Sequence, residues 1–306
     1  MTSLNNKKKI SVVIPSVNGL PIIKECLESI YRQDNSDISE VIVVDCSNEQ
    51  TRKVISETFK GVTLIHPQRG KTIPELKAIG IKEAKCDILA MIEDHCIVPE
   101  DWFTEILKAH ESEHIAIGGA VENGLIERTI DWAVYFFEYS AFMNPVSEGT
   151  TTALPGNNVS YNRSAMKYFD DLLEQNLWES FWHKRLMKNE VLLYAAPDII
   201  VYHNRHFRIM RFWYLSYIHG CNHAVANMRR SNLKKLLWVI SAVFIPAILT
   251  FRIGRRILRK KRYLKEFIKA SPIILWFHIG WTAGEFMGTL TGRTISEKGW
   301  GEEGSK

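Results

Sequence analysis

Short β-branched runs recur along the first third of the chain, at Ile10–Ile14, Val41–Val44, Val62–Ile65 and Ile88–Ile92. Each is too short for a helix and reads as a strand, the first closed by Pro15, which has no N–H for a ladder. Between the runs, Ile23, Leu27, Ile30 and Tyr31 fall on one helical face, and Leu76, Ile79 and Ala84 mark another. Strands alternating with helices predict βαβ units, an α/β fold and a mostly parallel central sheet. Ligands of such sheets bind at the carboxyl ends of the strands.

The residues at those ends are polar in all four cases: Pro15-Ser-Val-Asn18, Asp45-Cys-Ser-Asn48, His66-Pro-Gln-Arg-Gly-Lys71 and Glu93-Asp94-His95. A lone aspartate after a strand is commonly a helix cap; four polar ends in series predict a site. The glycine patterns GxGxxG and GxxxxGK[ST] are absent from the sequence. A nucleotide held here therefore needs another source of positive charge, and the acidic triplet offers oxygen and nitrogen ligands to Mg2+ or Mn2+. Helix-dipole complementarity is the alternative reading of such acids, but Glu100 and Asp101 already stand at the next helix start.

A strand ending Pro-x-x-Asn, a second ending Val-Val-Asp-x-Ser and a fourth ending in an acidic triplet together resemble family 2 glycosyltransferases of the GT-A fold, over about residues 10–205. The resemblance implies that Pro15, Asn18 and Asp45 belong to the nucleotide pocket. It implies that Glu93-Asp94-His95 stands for the family's Asp-x-Asp, with Glu93 and Asp94 on the donor and Asp94 and His95 on the metal. Arg69 and Lys71 supply the basic groups expected near a diphosphate. Val17, Cys46 and Lys77-Ala78 depart from the aromatic, second aspartate and Arg-Asn frequent at those positions.

In the second half, Leu154-Pro-Gly-Asn-Asn-Val-Ser-Tyr-Asn162 is a glycine-centred loop entering a short strand, similar to the family's acceptor-side segment; Gly156, Asn157 and Asn158 are its candidate sugar contacts, with an ordinary turn as the alternative. The helical stretch Leu177–Leu186 resembles Glu-Asp-x-x-Leu-x-x-Arg-Leu, and aligning Arg185-Leu186 puts Glu179 at the catalytic carboxylate. An inverting transfer needs one base to deprotonate the acceptor hydroxyl. Flanking Trp178 and Trp182 suggest an apolar setting that raises the pKa of Glu179. Trp178 and His183 complete the acceptor side, with His183 four residues on, placed to orient Glu179. A histidine after the family's last core strand implies that His203 approaches the metal or diphosphate, with His206 a weaker alternative.

Composition alters this picture at the C-terminal end. The 306 residues carry 39 basic and 34 acidic side chains, a net charge of +5 too small for a dedicated nucleic-acid binder. Nine of the basic residues lie between Arg252 and Lys269 against the single acid Glu266. This basic segment is read as a loop between two apolar stretches, residues 236–251 and 272–290. Two spans would put it opposite the catalytic domain, against the positive-inside tendency, so in-plane or re-entrant helices on an anionic leaflet are favoured. Residues 207–230 read as a further interfacial helix or as a helix packed on the catalytic domain. Gly280, Gly284 and Gly288 form a small-residue face for close helix packing, and Glu285 needs a partner, with the basic segment as candidate. Five cysteines without CxxC spacing point to a reducing compartment. The apolar run after the basic N-terminus is too short for a signal peptide.

The expected organisation is a GT-A domain over 1–206, a helical membrane-associated region over 207–295, interfacial, re-entrant or as two transmembrane helices, and a polar tail over 296–306. The expected function is metal-dependent, inverting transfer of a sugar from a nucleotide-diphosphate donor to a lipid-linked or growing glycan acceptor at the cytoplasmic face of the cell membrane. Anionic membrane lipids are expected partners and nucleic acid is not. Alternatives are a polyprenyl-phosphate glycosyltransferase, for which Glu179 would be dispensable, and a catalytically inactive nucleotide-binding scaffold of a polysaccharide assembly. A nucleotidyltransferase is disfavoured by the missing glycine-rich loop.

Overall fold

The computed structural model describes residues 8–33, 38–226 and 242–295. Among these, nine strands form one sheet: β1 (Ile10–Ser16), β2 (Ile38–Asp45), β3 (Val62–Ile65), β4 (Ile88–Met91), β5 (Cys96–Ile97), β6 (Ala116–Asn123), β7 (Gly149–Thr151), β8 (Val159–Asn162) and β9 (Leu193–His203). Their order is β3-β2-β1-β4-β8-β6-β9-β5, with β7 also on β9. The first four are parallel, and β8 turns the sheet antiparallel by pairing with both β4 and β6. This is the expected α/β sheet.

Strand β1 runs past Pro15 to Ser16, two residues beyond the predicted end. Its ladder to β4 ends at Val13↔Met91, while pairing to β2 continues to Ser16↔Asp45. The carbonyl of Ser16 accepts from Cys46 on the β2 side, so alternation directs the nitrogen of Pro15 to the other side, where no ladder bond is lost. The continuation carries Ser16, Val17 and Asn18 to the edge of the site.

The helices that position the site are α1 (Ile22–Tyr31), α2 (Glu49–Thr58), α3 (Ile73–Glu83), α4 (Trp102–Ala109), α5 (Thr129–Tyr139), α6 (Asp170–Glu174) and α7 (Glu179–Lys188). Helix α3 opens with a capping box in which Glu75 accepts from the Thr72 N–H at 2.8 Å, an arrangement that stabilises a helix start by about 1 kcal/mol. Its buried stripe of Ile73, Leu76, Gly80 and Ile81 lies in the same core as Val13, Ile42, Val44 and Met91. Lys77 sits within that stripe and is 1 % exposed.

The chain divides into two compact units. One holds the described residues to Glu122 with Phe142–Asn204; the other holds Asn123–Ala141 and the described residues from Arg205. The second unit comprises α5, α8 (Ile209–Ala226), α9 (Ile245–Lys260) and α10 (Leu264–Thr291). Residues 252–269, expected as a loop, are helical except at the turn around Lys261 and Tyr263, both at positive φ. Arginine, lysine and leucine are good helix formers and nothing breaks the run before that turn. Gly280, Gly284 and Gly288 do pack closely: a Cβ on each would come within 2.9, 1.9 and 2.4 Å of the α8 carbonyls of Trp213, Tyr217 and Cys221. Glu285 takes His223 as its partner, Oε1 to Nδ1 3.1 Å, in place of the basic segment. No described helix is long and apolar enough to cross a membrane; residues 227–241 and 296–306, which include the start of the first apolar stretch and the polar tail, lie outside the described residues.

Candidate functional site

The sequence-predicted site residues of the first unit lie at or beyond the carboxyl ends of β1, β2, β3 and β4, on the 154–158 and 177–188 segments and, for His203, at the end of β9; the weaker candidate His206 lies in the second unit, where its Nδ1 is 3.0 Å from Asp131 Oδ2. At the end of β2, Asp45 is fully buried. Its Oδ1 accepts from Ser16 Oγ at 2.8 Å and Ser47 Oγ at 2.7 Å, and its Oδ2 faces Arg52 of α2 at 3.6 Å. Ser47 and Arg52 are the half-buried members of this cluster, although the Arg52 Nη1 that faces Asp45 is itself buried. Arg52 was not foreseen; its position seven residues after Asp45, on the first turn of a capped helix, is the signal for it. Arg69 is exposed, and Lys71 is ion-paired to Glu75 at 2.7 Å.

Asp94, expected to ligate metal, has both carboxylate oxygens engaged within the protein. Its Oδ2 accepts from the backbone N–H groups of Val17 and Asn18, both at 2.9 Å; its Oδ1 accepts from Asn18 Nδ2 at 2.5 Å and lies 3.3 Å from His95 Nδ1. Four donors fill the roughly four lone-pair positions of a carboxylate. Asp94 is thus the anchor that ties the end of β1 to the acidic turn.

Glu93 and His95 are placed differently. Glu93 Oε1 pairs with Lys77 at 3.1 Å, leaving Oε2 3.6 Å from His95 Nε2. His95 Nδ1 faces Asp94, and its Nε2 is buried and has no hydrogen-bond partner, so a neutral ring with its proton on Nδ1 would present a lone pair there. Glu93 Oε2 and a neutral His95 Nε2 are donor atoms that a divalent cation would accept. The His203 ring lies edge-on to His95 at 4.7 Å, held by the pairing of β9 with β5. Among the described residues no three such side chains converge tightly enough to enclose an ion alone. The set fits a metal whose other ligands come from substrate.

Lys77 joins this turn to Glu179. Its ammonium donates to Glu93 Oε1, to the Gly156 carbonyl at 3.2 Å and to Glu179 Oε1, one acceptor for each N–H. Burial opposes its charge, but Glu179 and Glu93 outweigh it and hold the lysine pKa above the ordinary value. Burial likewise opposes the charge of Glu93, yet Lys77, joined by His95 whenever that ring is protonated, keeps the carboxyl below its ordinary range. Sequence reading noted Lys77 only as a departure from Arg-Asn. The signal was a lysine on an otherwise apolar helical stripe.

Glu179 begins α7 and is 4 % exposed. The expected sandwich of tryptophans is corrected: Trp182 turns into the core and stacks on Phe169 at 5.2 Å, while Trp178 lies 5.7 Å from Lys77 Nζ. His183 does not pair with Glu179; its Nε2 is 2.7 Å from the Tyr161 hydroxyl. Burial pushes His183 down to about 4 and, with the Glu179 charge, pushes Tyr161 up, so both are neutral at physiological pH. Gly156 lies against the carboxylate, where a Cβ would come within 2.8 Å of Oε2. Asn157 is buried with its side-chain oxygen unpartnered. Asn158, expected as a sugar contact, is occupied: its Nδ2 donates to the carbonyls of Ala120 and Ile199, both at 2.8 Å, and its Oδ1 accepts from Trp102. It braces β6 against β9.

The arrangement has the parts of a transfer site: a carboxylate against a glycine loop, a buried cation behind it, and a Glu/His gap able to take a divalent ion. A mannosyltransferase of Pyrobaculum calidifontis, solved with GDP-mannose and Mn2+, superposes with a TM-score of 0.57 over 94 % of this chain and 89 % of its own, at 14 % identity, which shows a shared fold. An uncharacterized glycosyltransferase of Haemophilus influenzae is 31 % identical over 93 residues, and the uncharacterized glycosyltransferase EpsJ of Bacillus subtilis is 24 % identical over 129. These alignments span 31 % and 36 % of the relatives' lengths and 30 % and 41 % of this chain. The profile of glycosyl transferase family 2 matches residues 11–178, from the first strand through the Lys77–Glu93 turn to the residue before Glu179. Strand ends, sheet and profile agree, and the chain belongs to glycosyl transferase family 2.

Proposed function

We propose that this protein transfers a sugar, with inversion, from a nucleotide-diphosphate donor to a lipid-linked or growing glycan acceptor at the cytoplasmic face of the cell membrane. The observation that carries the reading is the placement of Glu179: buried, against Gly156, and bridged by Lys77 to the acidic turn. Glu179 removes the proton from the acceptor hydroxyl as that oxygen attacks the anomeric carbon opposite the leaving nucleotide. Lys77 keeps its charge and holds the Glu179 carboxylate toward the loop. Ser47 and Arg52, oriented by Asp45, meet the nucleotide, and Asn18, fixed by Asp94, shapes the floor beside it. Glu93, His95 and His203 would hold Mg2+ or Mn2+, which when bound supplies Lewis-acid stabilisation to the departing diphosphate.

The test is release of nucleoside diphosphate from a panel of nucleotide sugars in the presence of a native lipid extract, comparing wild type with Glu179→Gln. A drop of about 10²–10⁴ in turnover with donor binding retained supports the base assignment. Turnover unchanged in Glu179→Gln points to a phosphate acceptor such as a polyprenyl phosphate, which needs no base. Donor binding without turnover in the wild type supports the scaffold reading.

A further inference from the structure

Helix α9 has two faces of different chemistry. Pro246, Ile253, Gly254 and Ile257 are buried, and a Cβ on Gly254 would meet the Phe267 ring of α10 at 3.1 Å. On the opposite side Phe244, Ile248, Phe251 and Leu258 are 66, 53, 66 and 60 % exposed. At 3.6 residues per turn these four fall within roughly 80° of arc, with Arg252, Arg255 and Arg259 exposed in or beside the same stripe. The helix contains no acidic residue. Across the turn, α10 opens with Leu264 and Ile268, 44 and 61 % exposed, beside exposed Lys265 and Lys269.

A large apolar stripe left in water is costly, and arginines at its edge choose its partner by charge. An apolar stripe edged with arginine matches a surface of acyl chains below anionic headgroups. A spanning segment would be apolar all round, and this helix is not. We propose that the outer face of α9, continued by the start of α10, is an in-plane docking surface for an anionic lipid bilayer, with Phe244, Ile248, Phe251 and Leu258 entering the acyl boundary and Arg252, Arg255 and Arg259 on the headgroups. The proposal deepens the reading of a lipid-linked acceptor, on which it rests for its purpose, while its binding step is measured without donor or turnover.

The experiment is flotation of the full chain with vesicles of phosphatidylcholine alone or mixed with phosphatidylglycerol, at low and high salt. Binding is expected to the mixed vesicles, weakened by salt and released by alkaline carbonate. The combined change Ile248→Ser and Phe251→Ser should reduce binding at least tenfold, and Arg255→Gln with Arg259→Gln should cut the preference for anionic vesicles by a similar factor. Circular dichroism and nucleotide-sugar binding should be unchanged in both variants, since the substituted side chains are solvent-exposed and are not among the residues assigned to the transfer site. Equal binding to both vesicle types, resistance to carbonate, or full binding by the serine variant overturns the proposal. So does a wild-type dimer that the serine change splits while vesicle binding is absent, which would assign the stripe to a second copy of the chain.

Discussion

Lys77 spends all three N–H groups on Glu93, Gly156 and Glu179, and each carboxylate it serves is largely buried. Replacing it by methionine keeps the volume and removes the positive charge that lies between the two acids, so both carboxylates must be protonated or hydrated. Breaking a buried pair from one side costs about 3–5 kcal/mol. The expected result for Lys77→Met is an unfolding free energy, from urea titration, lowered by that amount together with lost turnover. Lys77→Arg should recover part of the stability but less of the turnover, because a planar fork cannot direct three bonds as an ammonium does. A methionine variant as stable and active as wild type would remove Lys77 from the site. The contrast with Asp94 shows what sequence conveys at this scale. The order Glu93-Asp94-His95 at the end of a strand was legible as a polar turn, but the direction of each side chain was not. Asp94 turns back to the Val17 and Asn18 amides, which is a tertiary choice, and it is Glu93 Oε2 and His95 Nε2 that face each other at 3.6 Å.

At the scale of elements, periodicity conveyed most of what the structure contains. The four parallel strands and α1 and α3 follow from β-branched runs and apolar stripes, α7 from its resemblance to a family motif, and the glycine face of α10 from a spacing of four. The turn between α9 and α10 was hidden because Lys261 and Tyr263 adopt positive φ without the glycine that usually announces it. The assignment of α5 to the second unit was hidden too, since it depends on contacts far apart in sequence. The glycine face permits a graded test. A Cβ at Gly284 would stand 1.9 Å from the Tyr217 carbonyl oxygen, and one at Gly220 2.1 Å from that of Trp281, whereas one at Gly254 meets a ring at 3.1 Å. Backbone cannot yield as a ring can, so Gly284→Ala and Gly220→Ala should each cost at least about 1–3 kcal/mol and Gly254→Ala much less. Thermal melts give the ranking. If Gly254→Ala is the most damaging of the three, the close approach of α8 and α10 is not what stabilises this unit.

At the scale of the molecule, charge and burial set the pH range in which both units hold. His110 and His183 in the first unit and His278 in the second are each pushed down to about 4, chiefly by burial. Each has a neutral partner that suits the uncharged ring: Ser160, Tyr161 and Thr250 at 2.8, 2.7 and 2.9 Å. An unfolded histidine takes up its proton near pH 6.5, so between that value and about 4 the unfolded chain binds more protons than the native one. Stability therefore falls as pH falls through this window, by up to about 1.4 kcal/mol per pH unit for each histidine. The lowered carboxyl of Glu93 adds its own loss below the ordinary glutamate range, and the raised pKa of Lys77 removes stability only as pH climbs past the ordinary lysine value. Maximal stability is expected between about pH 6.5 and 10. Urea unfolding at pH 7.5, 6 and 5 measures the slope, with His183→Gln and His278→Gln separating the units, because an uncharged amide preserves a hydrogen bond and cannot titrate. His183→Gln should reduce the acid dependence of the first unit, where His110 still contributes, and leave that of the second, and His278→Gln should flatten that of the second and leave the first. A wild-type curve that stays level from pH 7.5 to 5 would mean that these rings reach water before the chain unfolds.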